Sequence, residues 1–236
     1  MAVLQFPPIN SADENGLLAL GGDLDVSTLV LAYRSGIFPW PISQEFPLAW
    51  FSPDPRGLID FQDVVINKRL TRYLKNNAYR FTCNQDFKGV IKACSKAPRN
   101  HQSGTWITDE VVDGYKALFE KKYAYSIEAW CDDELIAGIY GVCITGIVSG
   151  ESMFHNESNA SKLCLVGLIS LLKLSGVTWL DTQMVTPVVG TLGGKEVTRK
   201  DFLSRLRRCP LKSRDEIFPS SFDLFETFEA SELGQR

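Results

Sequence analysis

Two short segments carry side chains that could do chemistry on a polar substrate. In residues 147–154, IVSGESMF, strand alternation puts Ile147, Ser149, Glu151 and Met153 on one face. In residues 177–183, VTWLDTQ, it puts Val177, Trp179, Asp181 and Gln183 on one face. Each segment thus holds a carboxylate among apolar neighbours near its C-terminal end. Such a carboxylate costs free energy unless something pairs with it. A substrate ammonium group is one partner and a nearby Lys or Arg is the other; the pattern leaves both open.

Other chemistries are poorly supplied. The two histidines are His101, in a polar loop, and His155, just after a strand, where it reads as a turn-facing surface residue rather than a base. No His/Cys/Asp cluster has metal-ligand spacing, so no metal is expected. The six cysteines include no C-x-x-C pair, and several lie in apolar runs, so they read as reduced core thiols. Gly21-Gly22 is not a nucleotide-binding fingerprint and reads as a tight turn. Lys68, Arg72 and Lys75 stand at i, i+4 and i+7, one face of a helix. On charge alone that face reads as a solvated one rather than a phosphate contact.

The elements that must position these residues follow from periodicity. The first 62 or so residues are loop-rich, with seven of the eleven prolines. They contain one short helix, 29–35, stopped by Gly36. Helices are expected over 67–77 and 86–96, with a third opened by Thr108 as N-cap. The period then changes to strands over 124–131, 134–144 and 147–154, an antiparallel meander. A buried helix over 159–175, a strand over 177–183 and a final helix over 199–208 complete the order. Strand, helix, strand suggests a parallel crossover. A meander followed by a buried helix and another strand is the order of the acetyltransferase superfamily core, the GNAT fold. In acetyl-CoA users of that fold the junction after the meander is glycine-rich. Here it is residues 155–162, HNESNASK, with no glycine and an added negative charge at Glu157. Acetyl-CoA dependence is therefore disfavoured.

The 236 residues, 44% hydrophobic and 22% charged, suffice for one large domain or two small ones. A net charge of -3 means that any nucleic-acid contact must be a local patch. No apolar run reaches the ~20 residues needed to span a bilayer, and no leader pattern opens the chain. The expectation is a cytoplasmic protein with no membrane partner.

Read together, NGLLALGGDL (15–24), AYRSGIFPW (32–40), WFSPDPR (50–56), TWI (105–107), YSIEAW (125–130), GESMF (150–154), NASK (159–162) and DTQ (181–183) resemble leucyl/phenylalanyl-tRNA–protein transferases. The resemblance runs in order from about Phe6 to Leu206. It implies an α+β chain: a small N-terminal loop-rich α/β domain over 1–62, then a GNAT-like catalytic domain over 63–236. It implies transfer of Leu or Phe, and less readily Met, from aminoacyl-tRNA to proteins with N-terminal Arg or Lys, feeding N-degron proteolysis. No cofactor is implied, and a monomer is expected. By position, Trp40 and Trp106 would flank the terminal adenosine, and Tyr115 would line the same region. Ile139, Met153 and Leu168 would form the side-chain pocket, and Glu151 would help fix the aminoacyl end. Asp181 would bind or deprotonate the acceptor amine, with Gln183 orienting amine or carbonyl. Lys68, Arg72 and Lys75 match a family cluster that holds the tRNA acceptor stem.

This chain departs from the family pattern on the acceptor side. Val188 stands where the family usually has His, Gly194 closes TLGG (191–194) where it has SLGA, and Phe51 replaces a second Trp. The rival readings are the same chemistry on acidic N-termini, an acetyl-CoA-dependent N-acetyltransferase, and a non-catalytic module that binds a tRNA end.

Overall fold

Most of the apolar side chains are spent on the two faces of one sheet. The structure, a computed structural model, describes residues 3–42, 46–98 and 105–234. Its first part contains β1 (Leu17–Leu20), α1 (Val26–Arg34), β2 (Phe38–Pro39) and β3 (Ala49–Phe51), with strands in the order β1-β3-β2. There follow β4 (Arg56–Asp60), α2 (Lys68–Asn76), β5 (Arg80–Cys83), α3 (Phe87–Lys96) and α4 (Asp109–Glu120). The meander is β6 (Ala124–Cys131), β7 (Glu134–Ile144) and β8 (Ile147–His155), and α5 (Ala160–Leu174) leads from it to β9 (Trp179–Gln183). The chain continues through α6 (Pro187–Thr191), β10 (Lys195–Val197), α7 (Arg199–Leu206), α8 (Arg214–Ile217), β11 (Ser221–Phe222) and α9 (Leu224–Ser231).

The large sheet runs β10-β4-β9-β8-β7-β6-β5-β11. β8 and β9 pair in parallel at Ser149 and Asp181, while the other neighbouring strands are antiparallel. The meander, the buried helix and the parallel crossover are thus where the period changes put them. β4 falls within the first 62 residues, yet it is a strand of this large sheet, between β10 and β9.

Alternation sends Tyr125, Ile127 and Ala129 of β6 to one core, shared with α5 and α9, and Ala124 to the other, shared with α3 and α4. Because both faces are covered, β7 reads as a nearly continuous apolar run, whereas β6 still alternates through the buried polar Ser126 and Glu128. α5 is buried from Leu163 through Leu172 because the sheet covers one side and α9 another. Helix starts are fixed by side-chain caps. Asn67 accepts from Leu70 N at 2.8 Å, Asp86 from Gly89 N at 2.8 Å and Thr108 from Val111 N at 3.3 Å. Each such cap contributes about 1 kcal/mol. Four cysteines, Cys83, Cys94, Cys143 and Cys164, are buried free thiols, as core packing requires. Among the described residues no helix is long and apolar enough to cross a membrane.

Candidate active site

A cavity of about 280 Å³ opens where β8 and β9 run side by side. Its apolar wall includes Ile139, Met153, Leu165 and Leu180, and Trp40 and Trp106 close one side. Its polar side chains are Glu151, Ser152, Gln183, Thr182 and Thr186. Among the described lining residues Glu151 carries the one charged side chain. A mostly apolar hollow with a few convergent polar groups is the usual form of a small-ligand site.

Two bulges decide which side chains enter it. In β8, Tyr140 pairs with Ser152 and Gly141 with Gly150, so Glu151 is an extra residue. In β9, Leu58 pairs with Asp181 and Gly57 with Gln183, so Thr182 is the extra residue. Bulges re-aim side chains and recur beside active sites. After its bulge, β9 ends on Gln183 with φ of 56°, in the left-handed region where few non-glycine residues sit. Gly57 permits this, since a Cβ there would lie 2.4 Å from the Met184 carbonyl carbon. The outcome is that Gln183 turns toward β8, and its Nε2 donates to Glu151 Oε1 at 3.0 Å.

Glu151 is half-buried and heavily solvated by protein. Ser149 Oγ donates to Oε1 at 2.7 Å, and Tyr115 Oη donates to Oε2 at 3.3 Å. Tyr115 Oη also shares a hydrogen bond with Tyr33 Oη of α1. Burial, first, and the carboxylate of Glu151 push both tyrosines well above their usual value, so they stay protonated donors. Burial likewise pushes the Glu151 carboxyl up to about 7, although Ser149 and Tyr33 favour the charged form. A carboxyl poised there can take and return a proton at neutral pH.

The expected residues are distributed as follows. Trp40, Trp106, Ile139, Glu151, Met153 and Gln183 come together in the cavity wall. Tyr115 stands behind it, fully buried, and acts on it through its hydroxyl. Leu168 is a correction: it is fully buried core, and Leu165, one helical turn earlier, meets the cavity instead. The two share a helix face, so the difference is depth along the helix axis, which a nearly all-apolar helix does not announce. Asp181 does not line the cavity either. Its carboxylate is buried in a two-pronged ion pair with Arg56, Nε to Oδ1 at 2.9 Å and Nη2 to Oδ2 at 2.7 Å. Of the two partners that the sequence left open, the protein's own Arg occupies this carboxylate. The side-chain face of β9 seen by the cavity carries Leu180 and Thr182, not Trp179 and Asp181. Trp179 instead packs edge-on against Phe202 at 5.7 Å.

Trp40 and Trp106 stack directly, with centroids 5.7 Å apart and 28° between planes. A base between them would need two contacts of about 3.5–4 Å each, or about 7–8 Å in all. The pair as it stands leaves no room for a base between its two rings. Lys68, Arg72 and Lys75 are exposed on α2, while Leu70 and Leu74 bury its opposite side. His155 is exposed at the strand end, 3.2 Å from Ser161 Oγ; His101 lies outside the described residues. Sequence reasoning passed over Tyr33, Leu165, Leu180, Met184 and Arg56, although Arg56 closes a motif that it singled out. Among the described residues no group of three or more His, Cys, Asp or Glu could hold a metal ion.

Comparison with known proteins gives the family. A family model described as leucyl/phenylalanyl-tRNA protein transferase matches residues 58–207, and one described as the N-terminal domain of those proteins matches 22–54. A leucyl/phenylalanyl-tRNA–protein transferase of Flavobacterium johnsoniae is 41% identical over 204 residues, covering 86% of this chain and 96% of the relative. Proteins of the same description from Pseudoalteromonas atlantica and Syntrophus aciditrophicus are 43% and 42% identical, covering 90% and 94% of this chain and 91% and 94% of their own lengths.

Proposed function

The chain belongs to the leucyl/phenylalanyl-tRNA protein transferase family, which makes it an aminoacyltransferase from tRNA to protein, and from that premise we propose its substrates and the work of its residues. The aminoacyl group is Leu or Phe, with Met less favoured, and the acceptor is a protein with N-terminal Arg or Lys. The observation that carries this reading is the apolar cavity with Glu151 and Gln183 hydrogen-bonded at its polar side. Ile139, Met153 and Leu165 offer a flexible apolar surface for an aliphatic or aromatic side chain, and an unbranched Met tolerates both shapes. Adenosine stacks on the Trp40–Trp106 pair, a contact worth about 1–3 kcal/mol. Lys68, Arg72 and Lys75 meet the phosphates of the acceptor stem.

The reaction is aminolysis of an ester. The acceptor's α-ammonium, with an ordinary pKa of about 7.7–8.0, gives a proton to Glu151, whose carboxyl sits at about 7. Matched values make this transfer nearly free of cost in either direction. The amine attacks the ester carbonyl, a peptide bond forms, and the ester bond to the ribose breaks. The proton held by Glu151 passes to the departing ribose oxygen, and the second proton of the attacking nitrogen is released to solvent as the amide forms. Gln183 orients the amine or the carbonyl. Asp181, being sequestered by Arg56, acts by holding Gln183: its Oδ1 accepts the Gln183 backbone N–H at 3.0 Å. An acceptor side chain that is cationic suits a cavity whose one charged lining group among the described residues is a carboxylate. Acidic N-termini would be repelled there.

The meander, α5 and the parallel β9 support a GNAT-like catalytic domain, whose sheet also takes in β4, so that its boundary with the small N-terminal domain falls before Arg56 rather than at 62. The products would feed N-degron proteolysis in the cytoplasm, from a monomeric enzyme. Transfer of labelled Leu or Phe from tRNA to peptides beginning Arg, Lys, Asp or Glu tests the reading. Label should appear on the Arg and Lys peptides; equal transfer to Asp or Glu peptides would overturn the acceptor assignment.

A further inference from the structure

Arg56 touches neither the cavity nor its expected chemistry, and it falls between the two segments that the family models match. Yet it is among the most completely buried large side chains of the protein, at 1% exposure. Every side of its guanidinium is engaged. Beyond the two bonds to Asp181, its Nη1 donates to the Gly36 carbonyl at 3.2 Å. The ring of Phe38 lies over one part of it at 4.7 Å and that of Phe202 at 4.4 Å. Gly36 and Phe38 belong to the segment leading to Trp40, and Phe202 belongs to α7.

A buried ion pair is weak evidence for stability, because an apolar replacement of similar volume is often as stable. What such a pair does supply is fixed geometry, since a planar guanidinium holds a carboxylate by two bonds at once. Here the held carboxylate has a further task. Asp181 Oδ1 accepts from the backbone N of Gln183, the residue at φ of 56° whose side chain reaches Glu151. The contacts therefore run Arg56, Asp181, Gln183, Glu151, with each hydrogen bond along that line at 3.0 Å or less. They carry the position of a deeply buried cation to the polar edge of the cavity. A Lys in its place would keep the charge but lose the fork and the flat faces that the two rings cover.

We propose that Arg56 is a positioning residue for aminoacyl transfer: through Asp181 it holds Gln183 in its left-handed backbone conformation, and so keeps the Gln183 amide aimed into the cavity. This rests on the reading of Gln183 as the group that orients the reacting amine or carbonyl. Positioning errors well below the length of a bond to a neighbouring group are costly in such sites, and a shift of about 1 Å can slow chemistry about a hundredfold.

The test is a double-mutant cycle in single-turnover transfer of Phe from Phe-tRNA to an Arg-initiated peptide, using the full chain. The variants are Arg56→Lys, Gln183→Ala and the two combined. Arg56→Lys should slow transfer about tenfold or more, with KM for Phe-tRNA within about twofold of native. If it acts through Gln183, the double variant should be no slower than Gln183→Ala alone, because the positioned group is already gone. Rates that multiply, about a hundredfold for two separate tenfold losses, would show that Arg56 acts independently of Gln183 and would overturn the inference while leaving the role of Gln183 intact. A native rate in Gln183→Ala would instead remove the role of Gln183, and the inference with it. If Arg56→Lys melts below the assay temperature, the neutral pair Arg56→Gln with Asp181→Asn takes its place in the cycle, and the same outcomes decide.

Discussion

Replacing Glu151 with Gln should make the enzyme more stable at alkaline pH and nearly inactive. Burial holds the Glu151 carboxyl at about 7, against an ordinary value of 4.5. A carboxyl raised by folding favours the folded state when protonated. Its contribution is complete below about 4.5 and is lost as pH rises through about 7. At 1.36 kcal/mol per pH step, the loss across that interval is about 3 kcal/mol for a fully buried group. Glu151 keeps a minor part of its surface in water, and screening there reduces the expectation to about 1–2 kcal/mol. Gln cannot ionise, and its amide oxygen can still accept from Ser149 and Gln183. Glu151→Gln should therefore raise Tm at pH 8 by about 2–8 °C, with a much smaller difference at pH 5. Single-turnover transfer should fall about a hundredfold or more, and the rise of the native rate through pH 7 should disappear. Calorimetric melts at the two pH values, beside rate measurements from pH 5.5 to 8.5, read both effects. A variant destabilised equally at pH 5 and pH 8 would show that the ionised carboxylate is well accommodated, and the argument from burial would fail.

Met153→Ala should lower kcat/KM for Leu-tRNA by about ten- to a hundredfold, the effect of deleting methylene-sized contacts from an apolar pocket; unchanged values would remove Met153 from the side-chain site. Changing Lys68, Arg72 and Lys75 together to Ala should reduce the slope of log binding constant against log salt for aminoacyl-tRNA by about 2–3, measured by filter binding. An unaltered slope would return that helix face to plain solvation. Burial pushes Cys143 up to about 12 and Cys83 and Cys164 further still, so a thiol reagent at pH 8 should label exposed Cys131 first. Rapid labelling of Cys83 or Cys164 without unfolding would contradict their burial.

The longer helices and the meander were legible because each is dictated locally, whereas the short strands β1–β5, β10 and β11 were not. Asn67, Asp86 and Thr108 cap helices by bonds to backbone groups three residues on, and the strand runs between 124 and 155 are long and separated by short turns. The strand β4 was harder to see: five residues in a proline-rich stretch, buried throughout, with no alternation of polarity to mark them. The residues of the cavity were recognised as types, Glu151 and Gln183 among them, since a carboxylate or amide beside apolar neighbours is conspicuous in any chain.

Which way those side chains point was a different matter. Regular alternation places Asp181 and Gln183 together, and the bulge at Thr182 with the left-handed turn at Gln183 separates them. Whether a strand bulges depends on the neighbour it must match, here the approach of Gly57 to the Met184 backbone across sequence distance. The same holds for the partner of Asp181: no local rule connects position 56 to position 181. By itself the sequence determined the meander with its buried helix and crossover strand, the family and the presence of a carboxylate, an amide and two tryptophans to work with. Only the tertiary structure decided that Glu151 faces the cavity with a pKa near 7, while Asp181 is turned away and held by Arg56. Burial and ion pairing arise between segments that only folding brings together.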